Sequence, residues 1–215
     1  MTEYFQSRSN TFGKPLSPRA VLLCSFFFAS ACGGSGSSTD AQLAELNALN
    51  ASADAMIERF QPVSFTDPNM VPAVGTANYA GYFLGQMADT DDSLADTLTG
   101  EMALQVEFAA TSMVSGTVFG ILDENGDEVT GQIDLSGGVL DRDGDPNTDA
   151  TFGFEGDGTL TDINSNTIIL DLVFEGDFLG TDASGIAGDI LGRADSGGTS
   201  QAIGGAFIAE VVASE

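Results

Sequence analysis

Residues 141–149 have the types and spacing best suited to binding a metal ion. Carboxylate or amide side chains stand at every second position of this segment. Calcium takes about six to eight oxygen ligands, and such alternation would let a loop curl around one ion. An acidic hairpin loop that only meets solvent has the same composition, so this interpretation stays open. The predicted calcium ligands are Asp141, Asp143, Asp145, Asn147 and Asp149.

Two other acidic segments are explained by turns. The segment 123–127 contains Asn125-Gly126, and this pair predicts a two-residue hairpin turn because both residues tolerate positive φ. The segment 89–96 is typical of a solvated connection between strands. Its acidic residues are Asp89, Asp91, Asp92 and Asp96.

Histidine and lysine, two side chains that often carry enzymatic chemistry, are absent or rare. The sequence has no histidine, and its one lysine, Lys14, lies near the N-terminus. Beyond Lys14, the chain has no imidazole and no side-chain amine, so it lacks the usual general base and an important class of nucleophile. Carboxylate pairs leave glycosidase-like chemistry open, but each acidic cluster falls in a turn or loop. We predict a non-catalytic protein with no cofactor apart from the calcium considered above.

Residues 1–31 have the pattern of a signal peptide. Arg8, Lys14 and Arg19 precede the apolar run 21–32. This run is too short to span a bilayer, which needs roughly 20 residues. An uncleaved anchor is a second interpretation of the same segment.

The motif Ala29-Ser30-Ala31-Cys32 resembles the lipobox of bacterial lipoproteins. In these proteins the cysteine becomes the lipidated first residue of the mature chain. We therefore predict cleavage before Cys32, lipidation of Cys32 and a lipid anchor in the outer membrane, at the cell surface. An ordinary signal-peptidase site after Ala31 is the alternative. Residues 32–39, rich in glycine and serine, form the predicted lipidated flexible tether.

The predicted mature chain is strongly acidic. The full sequence has 6 basic and 32 acidic residues, and the leader holds three and one of these, so the mature part has a net charge of −28. Such a surface repels phosphate backbones and anionic lipid headgroups, and we expect no nucleic-acid partner. The lipid on Cys32 is the predicted contact with the membrane. The remaining cations are Arg59, Arg142 and Arg193.

Residues 40–61 form a predicted amphipathic helix. Thr39 or Asp40 can cap its start, and Pro62 ends it. The apolar stripe either packs on the rest of the protein or binds a partner. The stripe consists of Leu43, Leu46, Leu49, Ala53, Met56, Ile57 and Phe60.

Residues 75–215 form the predicted β domain. Residues 101–108 alternate between apolar and polar, and short strands of this kind joined by turns are typical of an antiparallel meander. Glycines within the strands favour a small closed barrel over a sandwich, because they relieve coiling and leave room where the opposite wall approaches. The predicted fold is all-β, an eight-stranded antiparallel up-and-down barrel preceded by one amphipathic helix. Its strands are 77–87, 101–108, 114–122, 129–135, 150–160, 167–175, 186–193 and 202–212, and the glycines are Gly116, Gly120, Gly153, Gly156, Gly188, Gly192, Gly204 and Gly205.

The spaced glycines and aromatics of residues 185–192 and 204–210 resemble the closing strands of transferrin-binding-protein-like β-barrel domains. Residues 106–108, 114–118 and 131–133 resemble the middle strands of the same family. The resemblance implies a surface lipoprotein of a Gram-negative bacterium that binds an extracellular protein or a small ligand. Transferrin binding itself is not implied. The alternative function is a periplasm-facing structural lipoprotein with no dedicated ligand.

Overall fold

The computed structural model describes residues 39–88, 94–109 and 113–212. The predicted signal peptide, Cys32, most of the tether and the aspartates of 89–93 lie outside the described residues. In the part of the chain that the structure describes, no helix has the length and apolarity required to cross a membrane.

The β domain is a closed barrel in which each strand pairs antiparallel with the next along the chain. The first strand also pairs antiparallel with the last, which closes the barrel. The predicted eight-stranded up-and-down barrel is therefore confirmed. The strands are β1 (Gly75–Ala88), β2 (Leu94–Phe108), β3 (Met113–Leu122), β4 (Glu128–Leu140), β5 (Phe152–Thr161), β6 (Thr167–Leu179), β7 (Gly185–Ser196) and β8 (Thr199–Val211).

Aromatic side chains fill the barrel interior. The rings of Phe154 and Phe174 are stacked, with centroids 4.7 Å apart and planes at 10°. Phe207 places its ring edge against both of them, at 5.5 Å from each. Phe83 and Phe174 are 0% exposed. The interior is thus a packed core, as expected for a barrel of about eight strands.

The predicted reason for the strand glycines is wrong in one respect. Four of them have their close contact with a backbone carbonyl of the neighbouring strand, and Gly156 lies against the ring of Phe174 on the neighbouring strand, so none of these contacts is with the opposite wall. At Gly188, for example, a Cβ would lie 2.1 Å from the Glu175 carbonyl oxygen of β6. A side chain here would force the strands apart, so the glycines allow tight coiling between neighbours. The glycines whose Cβ would lie within 2.3 Å of a neighbouring carbonyl oxygen are Gly81, Gly116, Gly176, Gly188, Gly192 and Gly205.

The helix α1 (Thr39–Phe60) packs on the outside of the barrel, where it contacts β2 and β8. Leu46, Ala53 and Met56 are buried, which confirms that the apolar stripe packs on the rest of the protein. Leu43, which belongs to the predicted stripe, is by contrast 38% exposed. At the C-terminal end of the helix, Arg59 Nη2 lies 2.8 Å from Glu210 Oε1 of β8.

The turn at 123–127 is longer than the predicted two-residue hairpin. The Gly126 N–H donates to the Asp123 carbonyl oxygen, and the Asp123 N–H donates to the Asp127 carbonyl oxygen, both at 3.0 Å. Only Gly126 has positive φ, at 82°. The loop is therefore a type I turn followed by a left-handed residue. The Asp123 carboxylate fixes this form because its Oδ1 accepts the N–H groups of Asn125 and Asp127.

Candidate binding site at the β4–β5 end

A cleft of ≈ 740 Å³ lies between two segments at the end of the barrel that holds the β4–β5 connection. One wall is the segment that follows α1, and the other is the tip of the loop between β4 and β5. The cleft is a broad groove that is open to solvent, not an enclosed cavity. The lining residues are Gln61, Val63, Ser64, Phe65, Asp67, Pro68 and Asn69 on the first wall, and Gly144, Asp145, Pro146 and Asn147 on the second.

The first wall is attached to β6 by backbone hydrogen bonds. Phe65 forms an isolated antiparallel bridge with Leu179. The Thr66 N–H donates to the Phe178 carbonyl oxygen at 2.8 Å, and the Gly180 N–H donates to the Ser64 carbonyl oxygen at 3.0 Å. This short extension of the sheet holds the Phe65 side chain at the cleft, where it is 40% exposed.

Arg142 ties the two walls together. Its Nη1 donates to the carbonyl oxygens of Pro68 at 3.2 Å and Val71 at 2.8 Å, and its Nη2 donates to that of Pro72 at 2.7 Å. A guanidinium has several donors in a fixed plane, so one side chain can satisfy several carbonyl groups. Arg142 therefore sets the position of the β4–β5 loop against the first wall.

Both walls carry the same tripeptide, Asp-Pro-Asn, with the same hydrogen bonds from its asparagine to its aspartate. On the first wall, Asp67 Oδ1 accepts the Asn69 N–H at 2.9 Å. On the second, Asp145 Oδ1 accepts the Asn147 N–H at 3.0 Å and its amide Nδ2 at 2.8 Å. These bonds from Asn147 hold the pKa of the Asp145 carboxyl below its usual value. The sequence analysis missed this pair, although the repeated tripeptide is visible in the sequence.

Of the predicted calcium ligands, Asp145 and Asn147 lie on the second wall, and Asp141, Asp143 and Asp149 lie elsewhere in the same loop. Asp141 Oδ1 accepts the Asp143 N–H at 3.0 Å. Asp149 Oδ2 accepts the Thr148 hydroxyl at 3.3 Å. Within 39–88, 94–109 and 113–212, no three Asp or Glu side chains form a group that could hold a metal ion. The structure does not bring the predicted ligands together, and calcium binding stays a prediction.

A buried carboxylate anchors the end of the β4–β5 loop. Asp177 on β6 is 3% exposed. Its Oδ1 accepts the Thr151 N–H at 3.0 Å and the Thr151 hydroxyl at 2.8 Å. This pair fixes the point where the loop enters β5, and sequence reasoning did not single out either residue.

The cleft offers carboxylates, amides, a hydroxyl and an aromatic ring. These groups suit hydrogen bonding and stacking against a bound molecule. Activated nucleophiles need an adjacent base or another group that lowers their pKa. The hydroxyl of Ser64 is the sole hydroxyl or thiol side chain on the lining, and the lining contains no Lys, Arg or His.

No family model matches the sequence, and no curated protein matches it. Among solved structures, the chain is similar to a variant of the vaccine antigen transferrin binding protein B from Haemophilus parasuis, with 18% sequence identity and a TM-score of 0.41. The match covers 71% of this chain and 29% of that chain, so this chain spans less than a third of the solved protein's length. The chain has the closed eight-stranded barrel that the family resemblance predicts.

Proposed function

We propose that this protein is a non-catalytic, lipid-anchored lipoprotein of the outer membrane whose barrel binds an extracellular partner. The observation that carries the proposal is the packed aromatic interior, because it leaves ligand contacts to the outside of the barrel. The lipobox at Ala29-Ser30-Ala31-Cys32 and the following glycine- and serine-rich tether support the anchor.

The cleft at the β4–β5 end supports a binding role over a purely structural one. Three hydrogen bonds from Arg142 hold its walls in register. Phe65 stays 40% exposed there, although a packed position would remove its ring from water. A preorganised cleft with an exposed aromatic ring is suited to a partner, whereas a structural lipoprotein has no need of one.

Lipid anchoring is tested with the Cys32→Ala variant and with globomycin, which blocks lipoprotein signal peptidase. We expect the variant to leave the membrane fraction or to accumulate as an unprocessed precursor. Membrane fractionation followed by immunoblotting gives the result. Normal processing and unchanged membrane association of the variant would refute the lipid anchor.

The side of the membrane is tested by protease shaving of intact cells. A surface protein should be lost, while a periplasmic marker stays intact. Survival of the protein in shaved cells, with loss after permeabilisation, would favour the alternative of a periplasm-facing structural lipoprotein.

The role of the cleft is tested by affinity capture of culture and host fluids with the full chain carrying Cys32→Ala. A partner recovered by this protein should bind weakly to a Phe65→Ala/Asn147→Ala variant. The matched control is Ile163→Ala, since Ile163 is 61% exposed in the β5–β6 turn at the other end of the barrel. Equal loss of the partner in both variants would refute the cleft as the contact.

A further inference from the structure

The outer faces of β4, β5 and β6 carry three aspartates at neighbouring positions. The strand register sets Asp134 directly opposite Asp157, and Asp157 directly opposite Asp171. All three residues are exposed. Opposed residues on antiparallel strands have Cβ atoms about 4.5–5.5 Å apart, and like charges in such pairs destabilise a sheet. A further pair of like charges, Glu175 and Asp189, is opposed between β6 and β7.

Among the described residues, Arg193 is the one basic side chain beside this row, and Asp134 Oδ1 accepts the Gln132 amide Nε2 at 2.6 Å. Arg193 on β7 is directly opposite Asp171, but its Nε lies 3.4 Å from Asp195 Oδ2 in an exposed ion pair. Arg59 is paired with a glutamate of β8, and Arg142 donates to backbone carbonyls at the cleft. Departures from locally favourable pairing of this kind are expected at functional surfaces.

Large aliphatic side chains are exposed beside the aspartates. Ile169 on β6 and Leu191 on β7 are 53% and 55% exposed. Ile169 shares the outer face with Asp171 because alternate residues of a strand point the same way. Leu191 is directly opposite Val173, the next outward residue of β6. Ile169 and Leu191 lie on either side of the Asp171–Arg193 pair, so this face mixes exposed aliphatic and charged side chains. Protein interfaces likewise combine apolar and charged groups.

We propose that this outer face is a docking surface for a partner protein whose own surface is rich in lysine and arginine. We call it the acidic wall, defined by Asp134, Asp157, Asp171, Ile169 and Leu191. A cation placed between two opposed carboxylates would relieve their repulsion, and the aliphatic side chains would be removed from water. A second copy of this chain carries the same sign of charge and would be repelled. The inference rests on the binding function proposed above and adds the face and the chemistry of the partner.

The test uses the purified full-length chain and two fluorescent peptides, deca-lysine and a decapeptide of alternating lysine and leucine. Binding is measured by fluorescence anisotropy at low ionic strength. The wall variant is Asp134→Asn/Asp157→Asn/Asp171→Asn. The matched control is Glu45→Gln/Asp54→Asn/Glu58→Gln, which changes the net charge equally at exposed positions of α1.

We expect the wall variant to bind both peptides about tenfold more weakly, which corresponds to about 1.4 kcal/mol. The control should lose less than about threefold, because it leaves the opposed carboxylates in place. Equal losses in both variants, or no loss in the wall variant, would overturn the proposal. Circular dichroism verifies that each variant keeps the barrel.

A third variant, Ile169→Ser/Leu191→Ser, tests the apolar part of the wall at constant charge. This variant should bind the lysine–leucine peptide more weakly and should bind deca-lysine as tightly as the wild type does. If neither peptide is affected, the wall is not a docking surface but only a charged face.

Amide chemical-shift mapping with deca-lysine gives a measurement that needs no variant. Shifts confined to β4–β7 support the wall, and shifts spread evenly over the barrel overturn it. If the acidic wall fails these tests, the lipid anchor is still decided by membrane fractionation and the cleft by affinity capture. The two proposals can therefore be refuted separately.

Discussion

Neighbouring glycines on β8 provide a matched test of how tightly the barrel is coiled. Gly205 and Gly204 stand next to each other on the strand that closes the barrel. A Cβ added at Gly205 would lie 2.0 Å from the Leu84 carbonyl oxygen of β1. A Cβ added at Gly204 would have its nearest neighbour at 3.8 Å, which is ordinary contact. The substitutions Gly205→Ala and Gly204→Ala therefore add the same methyl group, at a position with no space for it and at a position with enough space.

The magnitude follows from these distances. Ordinary contact begins at 3.4 Å, so β1 would have to move by about 1.4 Å to accept alanine at position 205. Overpacking of this kind costs about 1–3 kcal/mol. Alanine at position 204 should stabilise by about 0.4–1 kcal/mol, because it reduces the freedom of the unfolded chain. The two variants should thus differ by about 1.4–4 kcal/mol in the free energy of unfolding.

The assay is thermal and urea unfolding followed by far-ultraviolet circular dichroism, because the chain has no tryptophan. A domain of this size shifts in Tm by about 2–4 °C per kcal/mol, so the variants should be separated by about 3–16 °C. Gly205→Ala should lie below the wild type and Gly204→Ala at or above it. Equal stability of the two variants, or the reverse order, would refute the close approach of β1 and β8.

Three other predictions concern the loops. Arg142→Gln should destabilise by about 2–3 kcal/mol in urea unfolding, because several charged hydrogen bonds to carbonyls are lost. Arg193→Gln should change stability by less than about 1 kcal/mol, because its ion pair is exposed. Equal effects of the two substitutions would contradict the role of Arg142 in holding the two walls together. If residues 141–149 bind calcium with a Kd of about 10⁻⁴–10⁻³ M, then ~1 mM calcium should stabilise by about 0.4–1.4 kcal/mol, and Asp143→Asn/Asp145→Asn should reduce this gain. An equal shift in Tm with magnesium would leave only general screening of the acidic surface. Hydrogen bonds from Asn166 lower the pKa of Asp162 below its usual 3.8. These bonds therefore stabilise the folded protein fully above the pKa that Asp162 has in the unfolded chain, and this stabilisation is lost as the pH falls through its lower pKa in the folded protein. Asp162→Asn should therefore flatten the dependence of Tm on pH below about 4, and an unchanged pH profile would contradict this assignment.

The sequence predicted the number and order of the strands but placed several strand ends wrongly. Strand β2 begins at Leu94, although alternation is visible only from residue 101. Gly100 interrupts the alternation of apolar and polar side chains because it has none. The side chains of Val118 and Ile121 occupy the space next to it. Strand β4 continues to Leu140 through Gly137 and Gly138, whose φ angles are 81° and 117°. These glycines form a bulge that resembles a turn in the sequence.

The candidate site was less accessible to sequence reasoning than the fold. The segment 141–149 was recognised as unusual, but for its carboxylates rather than for Arg142. The hydrogen bonds of Arg142 reach residues that lie 70 to 74 positions earlier in the chain. Only the closed barrel brings these two segments together. Local spacing can suggest a loop's chemistry, but it does not show which other segment the loop will face.

The pairing of β1 with β8 has a consequence for the order in which the fold forms. This pairing joins Tyr79 to Val211 and Met87 to Ile203, whereas the other pairs join consecutive strands. Closing a long loop costs entropy that grows with its length, so the consecutive hairpins gain their contacts first. Because the chain is synthesised from its N-terminus, one edge of β1 therefore stays unpaired until residues 199–211 have been synthesised. The helix α1 emerges early and contacts both β2 and β8, so it is already in place to receive the final strand.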